Sequence, residues 1–259
     1  MPRLKGMPQP KAARIPRTLT AIAAAVLTVV ALLLAGATDA HATTSPVYKG
    51  TGWQAWTSNS IYSLAPDPYV VVFADSTART KLSKYFTGPA AQVTTAVGVP
   101  ITVSTTLDTT PVTSCPTRHR IIVHYSYRPT GTTGMSTTSA CHALADGSAW
   151  GGHIRMDSEY WTSSTWFSSN LTTNEARRKD AVTHELGHIL GLAHPNTDLD
   201  KDGVIENGEC VRNAAGLRPL MCSPNRGNPP STAGGKFTSE FDLPGLRQML
   251  QNYYLRQTA

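Results

Sequence analysis

The sequence predicts an α/β fold, in which strands alternate with helices in one compact unit. Two observations favour this class. Short β-branched and aromatic runs, typical of buried strands, recur along the chain, as at residues 69–73 and 121–127. Longer segments carry apolar residues at helical spacing, as at residues 77–97. With 259 residues, the chain can bury a sizeable core in one large domain or two small ones.

Apolar runs and alternation predict four strands, at residues 69–73, 101–106, 121–127 and 152–157. Gly and Thr dominate residues 130–138, which indicates a loop or a weakly specified edge. Residues 43–68 are rich in Ser, Thr, Pro and Trp and show no clear period. They predict either a lead-in loop or a short pro-segment in front of a domain at residues 69–259, and the sequence leaves both open.

Helices are predicted near the beginning and at the end of this domain. The first covers residues 77–97, with Ser76 as its cap and a kink or break at residues 88–89, a Gly-Pro pair. The last is capped by Ser239 and has Pro244 in its early turns, where proline is best tolerated.

A further helix is indicated by Thr172 followed three residues later by Glu175, the pattern of a capping box. Apolar residues at helical spacing continue from Ala176 to Leu190, and Gly191 is the expected end of the helix.

This helix ends in a run that supplies three imidazoles, one carboxylate and one glycine. Because residues four apart share a helix face, His184 and His188 can hold one metal ion, with Glu185 displaced toward its open side. Gly191 can leave the helix with positive φ, so that a short return brings His194 up as a third ligand. Three nitrogen ligands with an open fourth position are typical of catalytic zinc. Zinc lowers the pKa of a water molecule to about 7, and Glu185 can take its proton as general base, which describes hydrolysis without a covalent intermediate.

The first 42 residues have the pattern of a secretory signal peptide. Five basic residues precede an apolar run at residues 21–35, and Ala40-His41-Ala42 then forms a small-x-small cleavage signal. The alternative is a retained membrane anchor, but the run is shorter than the roughly 20 residues that a membrane span needs. We therefore expect a secreted, extracellular protein.

Charge excludes one class of partner. Cleavage after Ala42 removes five basic residues and one acidic residue, which lowers the net charge from +6 to +2. The remaining Lys and Arg are scattered, so that no nucleic-acid partner is expected. We also expect no membrane partner for the mature form, which we predict to be a monomer.

Four cysteines can form three sets of two disulfides. In an oxidising compartment we expect the two pairings that are local in sequence, Cys115 with Cys141 and Cys210 with Cys222. Each would close a modest loop, which contributes about 3 kcal/mol to stability in the chain-entropy treatment.

Residues 198–209 match the twelve-residue calcium loop D-x-D-x-D-G-x5-E at every defined position. The expected ligands are the side chains of Asp198, Asp200, Asp202, Glu206 and Glu209 and the carbonyl of Val204. Pro195 argues against the usual entering helix. The alternative interpretation is a solvated acidic turn.

With its extended histidine motif, the chain resembles the metzincin clan of zinc endopeptidases, which carry a third histidine and a methionine turn below the metal. Met221 lies after the motif, where that turn is expected. In this resemblance it forms a hydrophobic floor under the imidazoles and does not bind the metal; the alternative is an ordinary core methionine. No Tyr follows Met221 at the spacing by which astacin-like and serralysin-like relatives supply a fifth ligand, so three protein ligands are expected.

The order of elements is also similar to that of the matrixin-type catalytic domain, over about residues 68–256. The resemblance implies an α+β zincin fold with a mixed, mostly parallel five-stranded sheet, about three helices, and a methionine turn after the active-site helix. Residues 139–144 would then form the antiparallel edge strand, which would bind an extended peptide by β-augmentation.

These expectations predict a secreted zinc endopeptidase stabilised by calcium, with Glu185 as general base and later proton donor. Its substrate would be a protein or peptide in extended conformation. The alternative is a non-catalytic, calcium-dependent binding or adhesion module that retains a zinc shell, although the intact Glu185 argues against it.

Overall fold

A mixed β-sheet with helices packed against it is the centre of the fold. We describe a computed structural model of the chain, which covers residues 45–224 and 233–257. The predicted signal peptide at residues 1–42 lies outside the described residues.

The main sheet has six strands, of which five lie in the spatial order β3 (Ser63–Leu64), β8 (Ser148–Asp157), β6 (Arg120–Ser126), β4 (Tyr69–Phe73) and β5 (Ile101–Leu107). These five strands pair in parallel. The sixth, β7 (Thr137–His142), pairs with β8 in antiparallel orientation. The structure therefore confirms the mixed, mostly parallel sheet, with one strand more than predicted. The added strand is β3, which is too short to show a period in the sequence.

A second, small sheet joins the N-terminal segment to the end of the motif helix. It consists of β1 (Lys49–Gly50), β2 (Trp53–Ala55) and β9 (Leu192–Ala193), all antiparallel. The sequence predicts only a lead-in loop or pro-segment at residues 43–68, whereas the structure places Trp53, Ile61 and Leu64 in the core. The strands here are only two or three residues long, and they form because they pair with segments distant in sequence. Such short strands show no hydrophobic period from which they could be predicted.

Three α-helices are present in the described residues: α1 (Ser76–Val97), α2 (Leu171–Ile189) and α3 (Asp242–Gln257). The first differs from prediction in two ways. Asp75, not Ser76, caps it and accepts a hydrogen bond from the Ala78 amide at 2.8 Å. The helix also continues through Pro89, which is buried; packing of this face against the core offsets the lost backbone hydrogen bond.

The cap of α2 is Asn170 and not the predicted Thr172. The Asn170 side chain accepts a hydrogen bond from the Thr173 amide at 3.0 Å. Asn is among the best N-cap residues, and here it precedes the capping-box pattern by two positions. The helix ends at Ile189, and Gly191 follows with φ of +93°, as the sequence predicts for the exit turn.

The main core lies between the sheet and α1. Val71, Phe73, Ile121, Leu82 and Phe86 are all fully buried. Burial of each such side chain contributes about 1.5–3 kcal/mol. Among residues 45–224 and 233–257, none of the helices combines the length and the apolar character that a bilayer span requires.

Both predicted disulfides are present. Cys115 pairs with Cys141, and Cys210 pairs with Cys222. The first ties the loop before β6 to β7. The second joins the end of the acidic segment 198–209 to the residue after Met221.

Candidate metal centre

Helix α2 places two imidazoles side by side. His184 and His188 lie one turn apart in its last two turns, and both are buried. The helix is held in place because Val182, Leu186 and Ile189 pack into the core on its apolar side. The position of the two histidines therefore follows from the packing of the helix.

The turn after α2 brings the third imidazole to the same point. Gly191, with positive φ, lets the chain leave the helix, and strand β9 then pairs with β2 immediately before His194. The Nε2 atom of His194 lies 3.0 Å from the Nε2 atoms of both His184 and His188. The structure thus brings together all three histidines that the sequence singled out.

The Nδ1 atoms of the two helical histidines face backbone carbonyls. His184 Nδ1 lies 2.9 Å from the Leu220 carbonyl oxygen, and His188 Nδ1 lies 2.8 Å from that of Leu192. A carbonyl can only accept, so each Nδ1 carries the proton and each Nε2 presents a lone pair to the centre. These lone pairs face one another and His194, an arrangement that a shared cation would satisfy.

The distances between the nitrogens fit a small, tetrahedral metal ion. Zinc binds histidine nitrogen at about 2.0–2.1 Å, which puts two ligand nitrogens roughly 3.4 Å apart in tetrahedral geometry. The 3.0 Å separations to His194 are near this value. His184, His188 and His194 could therefore hold a metal ion.

Burial favours the neutral form of all three imidazoles. Burial lowers the pKa of His184 to about 4, helped by His194 and opposed by the hydrogen bond to Leu220. Burial, together with the other two histidines, holds the pKa of His188 well below its usual value. Burial also lowers the pKa of His194, the most exposed of the three. Neutral imidazole is the form that binds a metal.

Glu185 lies beside the histidines and is only 8% exposed. Burial raises the pKa of Glu185 to about 7, while a hydrogen bond from Thr138 acts in the opposite direction. A dication at the three nitrogens would favour the carboxylate form of Glu185. The structure therefore places the Glu185 carboxyl group next to the candidate metal centre.

Met221 packs against the helical turn that carries His184 and His188. It is fully buried, and its Sδ lies directly against Gly187, in the helical turn between His184 and His188. A Cβ at Gly187 would overlap the Met221 sulfur, so the Met221 side chain would have to shift if another residue replaced this glycine. The sequence analysis named Met221 but not its contact with Gly187.

The sequence analysis did not identify Asp242, whose carboxylate holds the turn that contains Met221. It accepts hydrogen bonds from the amides of Leu220 at 2.9 Å, Met221 at 3.2 Å and Thr238 at 2.8 Å, and from the Thr238 hydroxyl at 2.6 Å. Burial raises the pKa of Asp242, and these four hydrogen bonds oppose that shift. Since the Leu220 carbonyl contacts His184, Asp242 connects α3 to a histidine of the centre.

The N-terminal segment is a second contribution that the sequence did not indicate. The Gln54 side chain donates a hydrogen bond to the His194 carbonyl. The Trp56 ring lies 4.9 Å from the His188 ring, centroid to centroid, and the Trp56 amide donates to the Gly191 carbonyl at 2.8 Å. Residues far apart in sequence therefore support two of the three histidines.

The histidines and Glu185 open into a cleft of about 580 Å³. One side is lined by β7 and the loop before it, from Gly134 to Thr138. Apolar surface comes from Met135, Tyr160 and Phe167. The cleft has the size and mixed lining that are typical of a small-molecule or peptide site.

The acidic segment 198–209 follows His194 directly. Its carboxylates form two groups that could hold a metal ion, one of Asp198, Asp200 and Glu209 and one of Asp200, Asp202 and Glu206. The side chain of Val204, whose carbonyl is the predicted ligand, is exposed. The structure thus brings the predicted acidic residues together as two groups that share Asp200.

Hydrogen bonds attach this segment to Ser223, two residues after Met221. Asn196 accepts from the Ser223 amide at 2.9 Å and donates to the Ser223 carbonyl at 2.6 Å. The Gly208 amide donates to the same carbonyl at 2.7 Å. The acidic segment, His194 and Met221 are therefore parts of one connected region.

Comparisons with known proteins do not assign a family. No family model matches the chain, and no curated protein matches it. Among solved structures, the chain is similar to a chain of the structure described as "GM1 bound form of the ECX AB5 holotoxin", with 15% sequence identity and a TM-score of 0.38. The alignment covers 79% of this chain and 87% of that one.

Proposed function

We propose that the protein is a secreted, zinc-dependent endopeptidase of the metzincin type. The observation that carries the proposal is the convergence of three imidazoles beside a buried glutamate in an open cleft. The two disulfides are compatible with the proposed extracellular location. The fully buried Met221 under the helix turn supports the metzincin resemblance.

The proposed chemistry divides between the metal and this chain's own residues. A zinc ion held by His184, His188 and His194 would activate water and polarise the scissile carbonyl. Glu185 would accept the proton of the attacking water and then deliver it to the leaving amine. Thr138 and the cleft walls would keep the glutamate side chain out of bulk water.

Strand β7 is the proposed substrate-binding edge. It pairs with β8 only, among the described strands, so one of its edges can accept an extended peptide strand. Its residues Thr137 and Thr138 line the cleft beside Glu185. A peptide bound along β7 would thus pass the candidate metal centre.

The test of the proposed function is hydrolysis of denatured casein by the secreted protein. We expect cleavage that a zinc-selective chelator abolishes and that zinc, but not calcium alone, restores. Metal analysis of the same sample should show one zinc per chain. Zinc-loaded, folded protein that leaves casein intact would contradict the proposal, and calcium-dependent binding without cleavage would favour the adhesion module.

We further propose that residues 198–209 bind calcium. Asp198 already accepts hydrogen bonds from the amides of Lys201 at 2.6 Å and Gly203 at 2.9 Å, and Glu209 accepts one from the Glu206 amide at 2.9 Å. The segment is therefore curled around its carboxylates, and a cation would offset their repulsion. Because the segment joins His194 to the methionine turn, calcium would stiffen the metal centre.

Calcium removal should lower the Tm and raise self-cleavage before zinc is lost. At calcium about a hundredfold above its Kd, the stabilisation is about 2.7 kcal/mol, or about 5–10 °C in Tm for a chain of this size. The measurement is melting in EGTA with zinc supplied, compared with melting in excess calcium.

Two variants sharpen this experiment. Asp200→Asn should remove the calcium-dependent shift, because Asp200 belongs to both acidic groups. Asp67→Asn makes the same chemical change at an exposed residue outside the loop and should preserve the shift. An identical Tm with and without calcium in the unmodified protein would support a solvated acidic turn instead.

A further inference from the structure

Thr138 donates a hydrogen bond to the carboxylate of Glu185. The distance from Thr138 Oγ1 to Glu185 Oε2 is 2.7 Å, and the distance from the same hydroxyl to the Glu185 carbonyl oxygen is 3.1 Å. The hydroxyl has only one proton, and the contact to the carboxylate is the shorter and charge-assisted one. Both side chains are buried, so water does not readily replace this partner.

The fold fixes the place of this hydroxyl. Thr138 lies in β7 opposite Ile154 of β8, and helix α2 packs on β7. A β-branched side chain has few rotamers, so the backbone position largely sets the direction of Oγ1. Ser139, the next residue, faces the opposite side of the strand because side chains alternate.

We propose that Thr138 is a positioning residue that fixes Glu185 for proton transfer. Among the described residues, the Thr138 hydroxyl is the one donor to the Glu185 carboxylate. It holds Oε2, which leaves Oε1 to exchange protons in the cleft. This inference rests on the proposed function of Glu185 as general base, and it names a residue outside the histidine motif that the same reaction needs.

Kinetics separate positioning from binding. Thr138→Val keeps the shape and the strand preference but removes the hydroxyl. We expect kcat to fall by about 10–100-fold, as for other partners that orient groups at metal sites, and KM to stay within about threefold. Thr138→Ser restores a hydroxyl and should recover kcat to within about threefold of the unmodified protein. Thr80→Val, the same substitution at an exposed threonine of α1 whose hydroxyl donates to the Ser76 carbonyl, should change neither parameter.

A double-mutant cycle gives a readout that needs neither activity nor zinc. In the zinc-free protein, Thr138→Val should lower the Tm by about 4 °C, because the buried carboxylate loses its donor. In a Glu185→Leu background the same substitution should lower the Tm by less, because the carboxylate is absent and only the longer contact to the backbone carbonyl of residue 185 is lost. Thr138→Ala serves in the same cycle if the valine variant does not fold.

The outcomes separate this inference from the proposed function. Coupling in the cycle together with a selective loss of kcat supports the role of Thr138. Additive Tm shifts in the cycle would overturn the role of Thr138 and leave the proposed function intact. An unchanged kcat in Thr138→Val, with Glu185→Gln inactive, would do the same. Wild-type hydrolysis by Glu185→Gln would overturn both, whatever the stability cycle gives.

Discussion

Replacement of Glu185 by Gln should reduce casein hydrolysis by about 10²–10⁴-fold, the usual contribution of a general acid-base group. The amide has nearly the same shape as the carboxylate, and its oxygen can still accept the Thr138 hydrogen bond. It cannot take a proton from water at neutral pH. His184 and His188 do not depend on this side chain for their contacts to the Leu220 and Leu192 carbonyls. Zinc binding should therefore survive while hydrolysis does not.

Glu175→Gln is the matched control for this experiment. It makes the same chemical change on the same helix, at a residue that pairs with Lys84 and Arg178 outside the cleft. Its activity should equal that of the unmodified protein. Zinc content and Tm are measured for both variants, so that a loss of fold or metal is separated from a loss of chemistry. An active Glu185→Gln variant with normal zinc content would refute the proposed mechanism.

The histidine centre could be predicted from sequence because its geometry is local. His184 and His188 are joined by one helical turn, and Gly191 shortens the path to His194, so spacing alone nearly fixes their arrangement. The main strands and helices could also be predicted from the sequence, because each is long enough to show a hydrophobic period. The two disulfides followed from compartment and spacing.

The parts that sequence could not supply depend on contacts between distant segments. Gln54 reaches the His194 carbonyl from 140 positions away, and Thr138 reaches Glu185 from 47. Strands β2 and β3 have two or three residues each and exist because a partner strand is present. The N-cap residues of α1 and α2 were predicted wrongly for a different reason. Several polar residues compete for each N-cap position, and tertiary packing selects among them.

Asp242 is the strongest example of such a distant contribution, and its replacement by Ala should have the largest effect on stability. The substitution leaves the buried amides of Leu220, Met221 and Thr238 without their acceptor. Each unsatisfied group costs about 1–3 kcal/mol, so the total is about 3 kcal/mol or more, and the Tm should fall by about 10 °C. The measurement is thermal melting of the zinc-free protein, which excludes any contribution from metal binding.

The same variant should also bind zinc about 10–100-fold more weakly, the usual effect of losing a group that orients a metal ligand. The reason is the path from Asp242 to the Leu220 amide and from the Leu220 carbonyl to His184 Nδ1. Competition with a chromophoric chelator measures the affinity. Glu240→Ala removes an exposed carboxylate two residues earlier, which accepts a hydrogen bond from the Asn213 side chain, and should change neither Tm nor affinity appreciably. If Asp242→Ala lowers the Tm but binds zinc normally, Asp242 supports the fold without orienting His184, and the methionine turn is then independent of the metal centre.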